Sequence, residues 1–234
     1  RICNFTITPF VEFKNTQPPI ARFVAKEATY LVRAMTCSAT EHPHAVDLGL
    51  SVKWACCNVG AEYPEEYGGY YAWGETSTKS DYTIGNYIHR ERADYDHDHS
   101  GDDCQCWEYK FIGNEISGTQ YDVAHVKWGD GARMPTSAEV AELISYCTFE
   151  YGHYNGSMGT YVTGPNRNSI FLPCAGYRYY GGLDFSDLGY FWSGTLVKDG
   201  TRYRAYCLCS YLFDGDREAH SRQHGLSVRP VKYK

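Results

Sequence analysis

The sequence predicts an α+β fold, and two observations carry that prediction. Short segments rich in β-branched and aromatic residues fill the C-terminal half: GTYVTG, NSIFLPC, YFWSGT, YRAYCLCSYLF and LSVRPV. They are separated by Gly, Asn and Asp, and no second long helical pattern interrupts them. The clearest helix signal, RMPTSAEVAELISYC, stands before them. Thr136 with Glu139 three residues on forms a capping box, and Val140, Leu143, Ile144 and Cys147 follow at helical spacing on one face. At 234 residues and 43% hydrophobic, the chain is long enough to bury a substantial core.

Taken in order, residues 1–43 read as an N-terminal extension or linker. A strand-like ITPFVEF is followed by NTQPP and then by a helix over Ala21–Met35, in which Phe23, Ala25, Ala28, Leu31 and Val32 roughly share a face. Residues 44–234 form the main domain. AVDLGLSVKWACCNVG alternates like a strand pair punctuated by glycine. PEEYGGYYAWGE reads as a short helical turn ending at Gly68 and Gly69, then an aromatic segment. Residues 76–120 lack an apolar period and read as a polar loop excursion. The capped helix and the strand run complete the domain.

Composition narrows the function. The net charge is −6 and no basic run occurs, which argues against nucleic acid as a partner. No apolar run reaches bilayer-spanning length, so no transmembrane segment is expected. The opening RICNFTITPF lacks the charged-then-apolar pattern of a signal peptide. A secretion signal or lipid anchor, if the protein is exported, lies outside this sequence. Ten cysteines are present, with no recurring C-x-x-C pair of zinc-ligand spacing. Disulfides, if formed, would join distant segments, with Cys104 or Cys106 the favoured members.

Residues 171–234 hold the densest signal. Tyr, Asp, Ser, Arg, His and Cys cluster between stiff apolar and glycine anchors, and the chain as a whole carries 22 Tyr. Tyrosine supplies large, rigid, amphipathic contact area at low entropic cost, so this segment reads as a recognition surface. Its expected anchors are Tyr179, Tyr180, Phe185, Tyr206 and Tyr211. Asp184, Asp187, Asp214, Asp216, Arg204, Arg222, His220 and His224 would set polarity.

Several segments, in order, resemble one family. VDLGLSVKWACCNVG, YYAWGE, WGDGARMPTSAEVAEL, NSIFLPCAGYR, GYFWSGT and GLSVRPV are similar to the Fibrobacter-type major paralogous domain family, common in gut Bacteroidetes. RMPTSAE and GLSVRPV also resemble the wider formylglycine-generating-enzyme-like branch of the C-type lectin fold. The similarity runs from about Ala45 to Val231. It implies a C-type-lectin-like fold used for non-catalytic binding of a protein or glycan at the cell surface or outside the cell. It also implies a variable protein of a diversity-generating retroelement, with Gly176, Trp192, Ser193, Ala205, Leu208 and the Gly225–Pro230 segment as fixed framework. Cys207 and Cys209 then fall at displayed positions, as exposed thiols produced by sequence sampling. The genetic code offers a check. Adenine mutagenesis of AAC or AAT codons never yields Lys, Glu, Gln, Met or Trp, and none of these occupies a position expected to be displayed. Asn, the unmutated state, is absent from Phe171 onward.

Other constellations are weighed beside this one. Asp96, Asp98 and Ser100 before Gly101 alternate like the opening ligands of a calcium loop, with His97 and His99 as transition-metal candidates, against a plain solvated acidic loop. No cofactor is required by the binding reading. Cys207-Leu-Cys209 places two sulfurs on one strand face, the basis of an alternative reading as a copper enzyme of the formylglycine-generating type. A pilin-like surface-assembly subunit pairing through residues 1–43 is a third reading. Ser193 reads as a buried strand serine, Trp54, Trp73 and Trp192 as core, and Arg229 as structural. Glu75 and Arg133 are candidates for a buried polar pair. GPNRN and WSGT match the calcium-dependent sugar site of lectins poorly.

Overall fold

The computed structural model describes residues 43–92, 107–200, 202–211 and 214–234. The expected Ala21–Met35 helix, the calcium-loop candidates Asp96, Asp98 and Ser100, and Cys104 and Cys106 lie outside the described residues.

AVDLGLSVKWA folds as expected into an antiparallel pair, β1 (Ala45–Asp47) and β2 (Val52–Ala55), with Ala45 opposite Ala55. The helical turn expected in PEEYGG does not continue into a helix. Glu66 N–H donates to Tyr63 O, while the Glu66 carboxylate accepts from the Glu62 and Tyr63 amides and so closes the turn on itself. The 76–120 excursion is more ordered than its composition suggests. Its described part carries a 3-10 turn at Ile84–Asn86 and an antiparallel pair, β3 (Arg90–Arg92) and β4 (Trp107–Tyr109). It is rooted by the fully buried Tyr82, Tyr87 and Ile116.

A short helix that the sequence did not announce follows, α1 (Val123–Trp128). Asp122 caps it by accepting from the Ala124 and His125 amides. The expected helix is α2 (Ser137–Tyr146), with the full capping box between Thr136 and Glu139. Val140 and Leu143 are buried, and Ile144 and Cys147 pack beside them.

The strand-rich half then unrolls as antiparallel units. β5 (Thr148–Tyr154), β6 (Ser157–Thr163) and β7 (Ser169–Pro173) form a meander. β8 (Tyr177–Tyr179) and β9 (Gly182–Asp184) form a small hairpin. β10 (Gly189–Leu196), β11 (Arg204–Ser210) and β12 (Gly215–Ser221) form a second meander, with β12 on its edge. β13 (Val231–Tyr233) returns to pair with β2, so both ends of the strand run share one sheet. Mostly β-sheet with two helices, the described residues are α+β.

The β10–β11–β12 sheet divides the core. Side chains alternate along a strand, and here Phe191 and Leu208 face α2 and join Val140, Leu143 and Leu172. Tyr190, Trp192, Ala205, Cys207 and Cys209 face the other way, onto Val59, Tyr71, Trp73 and Val228. Trp54, Trp73 and Trp192 are fully buried, as expected of core. Trp73 Nε1 donates to Ser193 O at 2.9 Å and Trp192 Nε1 to Tyr71 O at 2.7 Å, which ties the β sheet to the loop-rich half. Ser193 is buried and its hydroxyl donates to Tyr206 O. Arg229 is buried among the Ala55 and Cys56 carbonyls and Asn58 Oδ1, a structural role. The Glu75–Arg133 pairing is corrected. Glu75 accepts from Lys79 Nζ at 2.8 Å, and Arg133 forks onto Glu139, each partner being nearer in sequence than the other. No helix among the described residues is long and apolar enough to cross a membrane.

Candidate functional site

The site grows from the β8–β9 hairpin. Gly176 precedes it at φ 58°, where a Cβ would meet Asp184 O at 2.4 Å, so only glycine lets the hairpin close this tightly. The hairpin is braced from two sides. Arg178 and Gly225 exchange backbone hydrogen bonds of 2.7 and 2.9 Å, and Tyr82 N–H donates to Tyr180 O at 3.0 Å. Tyr82 belongs to the 76–120 excursion, so the root of that excursion holds up the hairpin tip.

On this support the rings of Tyr177, Tyr179, Tyr180, Phe185, His220 and His224 come together. Tyr177 lies nearly parallel to Phe185 (5.7 Å, 17°) and to His224 (5.4 Å, 8°). It meets His220 edge-on at 4.6 Å and Tyr190 at 5.3 Å. Tyr179 touches Tyr180 at 4.3 Å and His224 at 4.7 Å. The outer rings reach solvent: Tyr180 is 51% and Phe185 57% exposed. Both residues sit at φ 50°, a conformation unfavourable for bulky side chains. Offset and edge-to-face ring pairs of this kind contribute about 0.5–1.5 kcal/mol each beyond area burial.

The histidines form a pair, His220 Nδ1 lying 3.4 Å from His224 Nδ1. Burial disfavours the imidazolium of both. His224, further opposed by His220, is held down to about 4, and His220 is lowered although Glu218 works against the shift. Both are therefore neutral at pH 7. Beside them Tyr211 Oη donates to the Glu218 carboxylate, and Tyr190, Cys209 and Tyr211 share side-chain hydrogen bonds.

The other expected display positions sort by strand alternation. Asp184, Asp187, Asp214 and Asp216 are exposed. Residues opposite each other on antiparallel strands share a face. Asp216 and Glu218 therefore stand on the face of Cys209 and Cys207, and His220 on that of Ala205. Arg204 and Tyr206 are at the alternate positions of β11 and lie on the opposite face. There Arg204 pairs with Asp199 at 3.0 Å and Arg217 stacks over Tyr206 at 4.8 Å. They do not join the hairpin cluster, which corrects the expectation of one continuous surface.

Cys207, Cys209 and Arg222 are corrected outright. Both cysteines are fully buried, because β11 is the central strand and its Cys face looks into the core. Burial pushes the Cys209 thiol up to about 12, with Glu218 adding to it, and carries Cys207 well above its ordinary value. Neither presents a thiolate to solvent at neutral pH. Arg222 is a buried hub. Its Nε donates to Tyr87 Oη, its terminal nitrogens donate to Arg202 O and Lys110 O, and Trp73, Tyr87 and Tyr109 surround it.

Reading the sequence missed Tyr177, Tyr190, Glu218 and the brace Tyr82. The first two lie inside the shared motifs NSIFLPCAGYR and GYFWSGT, which set them apart from the displayed positions. Glu218 is a residue type that adenine mutagenesis of Asn codons cannot produce, so it does not fit the pattern of displayed positions. Among the described residues no cluster of His, Cys, Asp or Glu has the geometry to hold a metal ion. Comparison with protein-family models, with curated proteins and with solved structures returns no match to this chain.

Proposed function

We propose that this chain is a non-catalytic binding protein, displayed at a cell surface or outside the cell, that recognises a protein or glycan. The recognition face is the hairpin cluster of Tyr177, Tyr179, Tyr180, Phe185, His220 and His224, rimmed by Asp184, Asp187, Asp216 and Glu218. The observation that carries the reading is the exposure of Tyr180 and Phe185 in strained conformations on a hairpin fixed from two sides. Strain of that kind persists only where the surroundings impose it, and it concentrates at functional positions. Rigid, pre-positioned aromatics are efficient anchors, since little side-chain freedom is lost on binding.

The C-type-lectin-like fold and diversification by a retroelement belong to the same proposal. The first rests on the ordered motifs from Ala45 to Val231. The second rests on the residue types at the positions the sequence marks as displayed and on the absence of Asn from Phe171 onward, with Glu218 in the rim a residue type that speaks against it. A neighbouring reverse transcriptase gene and a template differing only at adenines would test it. The copper-enzyme alternative is disfavoured by the burial of Cys207 and Cys209. The pilin-like alternative rests on residues outside those described.

Binding is tested by mutating the tip. Full-length protein carrying Tyr180→Ala and Phe185→Ala should keep its far-ultraviolet circular dichroism. It should lose at least about tenfold in affinity for whatever peptide or glycan the unmodified protein selects from an array. Unchanged affinity would sink the proposal.

A further inference from the structure

The hairpin face has a charge pattern that its composition hides. The chain carries a net charge of −6, yet arginines lie within the same strands as the aromatic anchors. Strand alternation separates them. On β8, Tyr177 and Tyr179 point to one side, with Asp184 directly across from Tyr177. Arg178 points to the other side, over the Tyr70 ring at 4.9 Å. On β12, Asp216, Glu218 and His220 share the cluster's face, while Arg217 turns away onto Tyr206.

The electrostatics of the rings agree. Burial raises the Tyr177 hydroxyl most, with Asp184 and Glu218 adding to it. Tyr179 is raised chiefly by its hydrogen bond with Tyr180 and by burial, with Asp184 a smaller contributor. Arg178 instead acts on Tyr70 and Tyr82, lowering both hydroxyls against the larger rise from burial. The histidine pair is neutral at pH 7 and adds no positive charge. The face is therefore aromatic and anionic. Ionised carboxylates accept hydrogen bonds and donate none. The tyrosine hydroxyls and neutral imidazoles of the face could serve a glycan, but a neutral glycan leaves the negative charge unanswered. A Lys or Arg side chain matches both features. Its charge pairs with the carboxylates, its head sits over the rings by cation–π attraction, and its apolar stem covers Tyr180 and Phe185.

We propose, building on the binding reading above, that the occupant of this face is a basic polypeptide segment, with Lys or Arg seated among Tyr179, Tyr180 and Phe185 beside Asp184 and Asp187. The test uses the full chain as bait against a displayed library of short random peptides and, in parallel, a glycan array. The doubly substituted Tyr180→Ala, Phe185→Ala protein serves as control. Enriched peptides should be rich in Lys and Arg. Their binding should weaken about tenfold in Asp184→Asn, Asp187→Asn protein and fall steeply with salt. Enrichment of neutral or acidic peptides, or of glycans alone, with binding lost in the Tyr180→Ala, Phe185→Ala control, would overturn the basic-partner inference while leaving the binding face standing. Enrichment that the control retains would overturn both.

Discussion

At the scale of single residues, Arg222 and the His220–His224 pair differ in what they do. The Arg222 guanidinium is fully buried and held by three oxygens and three aromatic rings. Removing it leaves those acceptors unsatisfied inside the core. Arg222→Ala should therefore lower the unfolding free energy by about 3–5 kcal/mol in urea titration. Arg222→Lys should recover little of this, because a point ammonium cannot replicate the planar fork. The histidine pair acts through pH. An unfolded histidine protonates near its ordinary value of 6.5, while folded His224 resists until about 4. As pH falls, the unfolded chain takes up the proton first. Stability is thus intact above about 6.5 and is lost between about 6.5 and 4, by at most about 3 kcal/mol from this residue. His224→Phe should flatten that part of the melting-temperature profile. A variant whose profile keeps the same slope would show that His224 is not its source. The buried thiols carry a third expectation. Cys207 and Cys209 should resist alkylation in the native protein at mildly alkaline pH and react on unfolding, as read by mass spectrometry.

At the scale of elements, the hairpin and α2 show opposite design. Helix α2 obeys its local rules, its capping box satisfying amides at its start. Thr136→Ala should cost about 1 kcal/mol with no effect on binding. The β8–β9 hairpin breaks its local rules, placing Tyr180 and Phe185 at φ 50°. Glycine adopts that conformation freely, so Tyr180→Gly should leave stability unchanged or raise it by up to about 1 kcal/mol. It should nonetheless weaken ligand binding. Loss of stability in that variant would mean that the tyrosine is held by packing, and the argument from strain would fail.

At the scale of the whole molecule, what could be read from the sequence was what local chemistry decides. The β1–β2 pair, the capped helix and several strands follow from periodicity, capping and turn residues, while the burial of Trp54, Trp73 and Trp192 is expected from their place in the motifs that carry the resemblance. The small helix α1 escaped because six residues, Val123–Trp128, give too short a period to register. The site was legible in part. Tyr179, Tyr180, Phe185, His220 and His224 do converge, but through ring contacts between β8–β9 and the end of β12 that no local pattern encodes. Cys207 and Cys209 read as surface because the family resemblance puts them at displayed positions, although free cysteine is among the residue types most often buried, and Arg222 because arginine is mostly exposed. Their burial follows from the position of β11 between two neighbours, and from the oxygens that happen to surround Arg222. Arg204 and Tyr206 were joined to the site by proximity in sequence, whereas alternation puts them behind the sheet.

That division supplies the most direct test of the recognition face. Affinity for the selected peptide or glycan should be measured by titration calorimetry for Tyr179→Ala, Tyr180→Ala and Phe185→Ala, and for Arg204→Ala and Tyr206→Ala as controls from the opposite side of the sheet. Losses of about tenfold or more confined to the hairpin variants, with changes under about twofold for the controls, are the expected result. Equal losses on both sides, or losses confined to Arg204 and Tyr206, would contradict it.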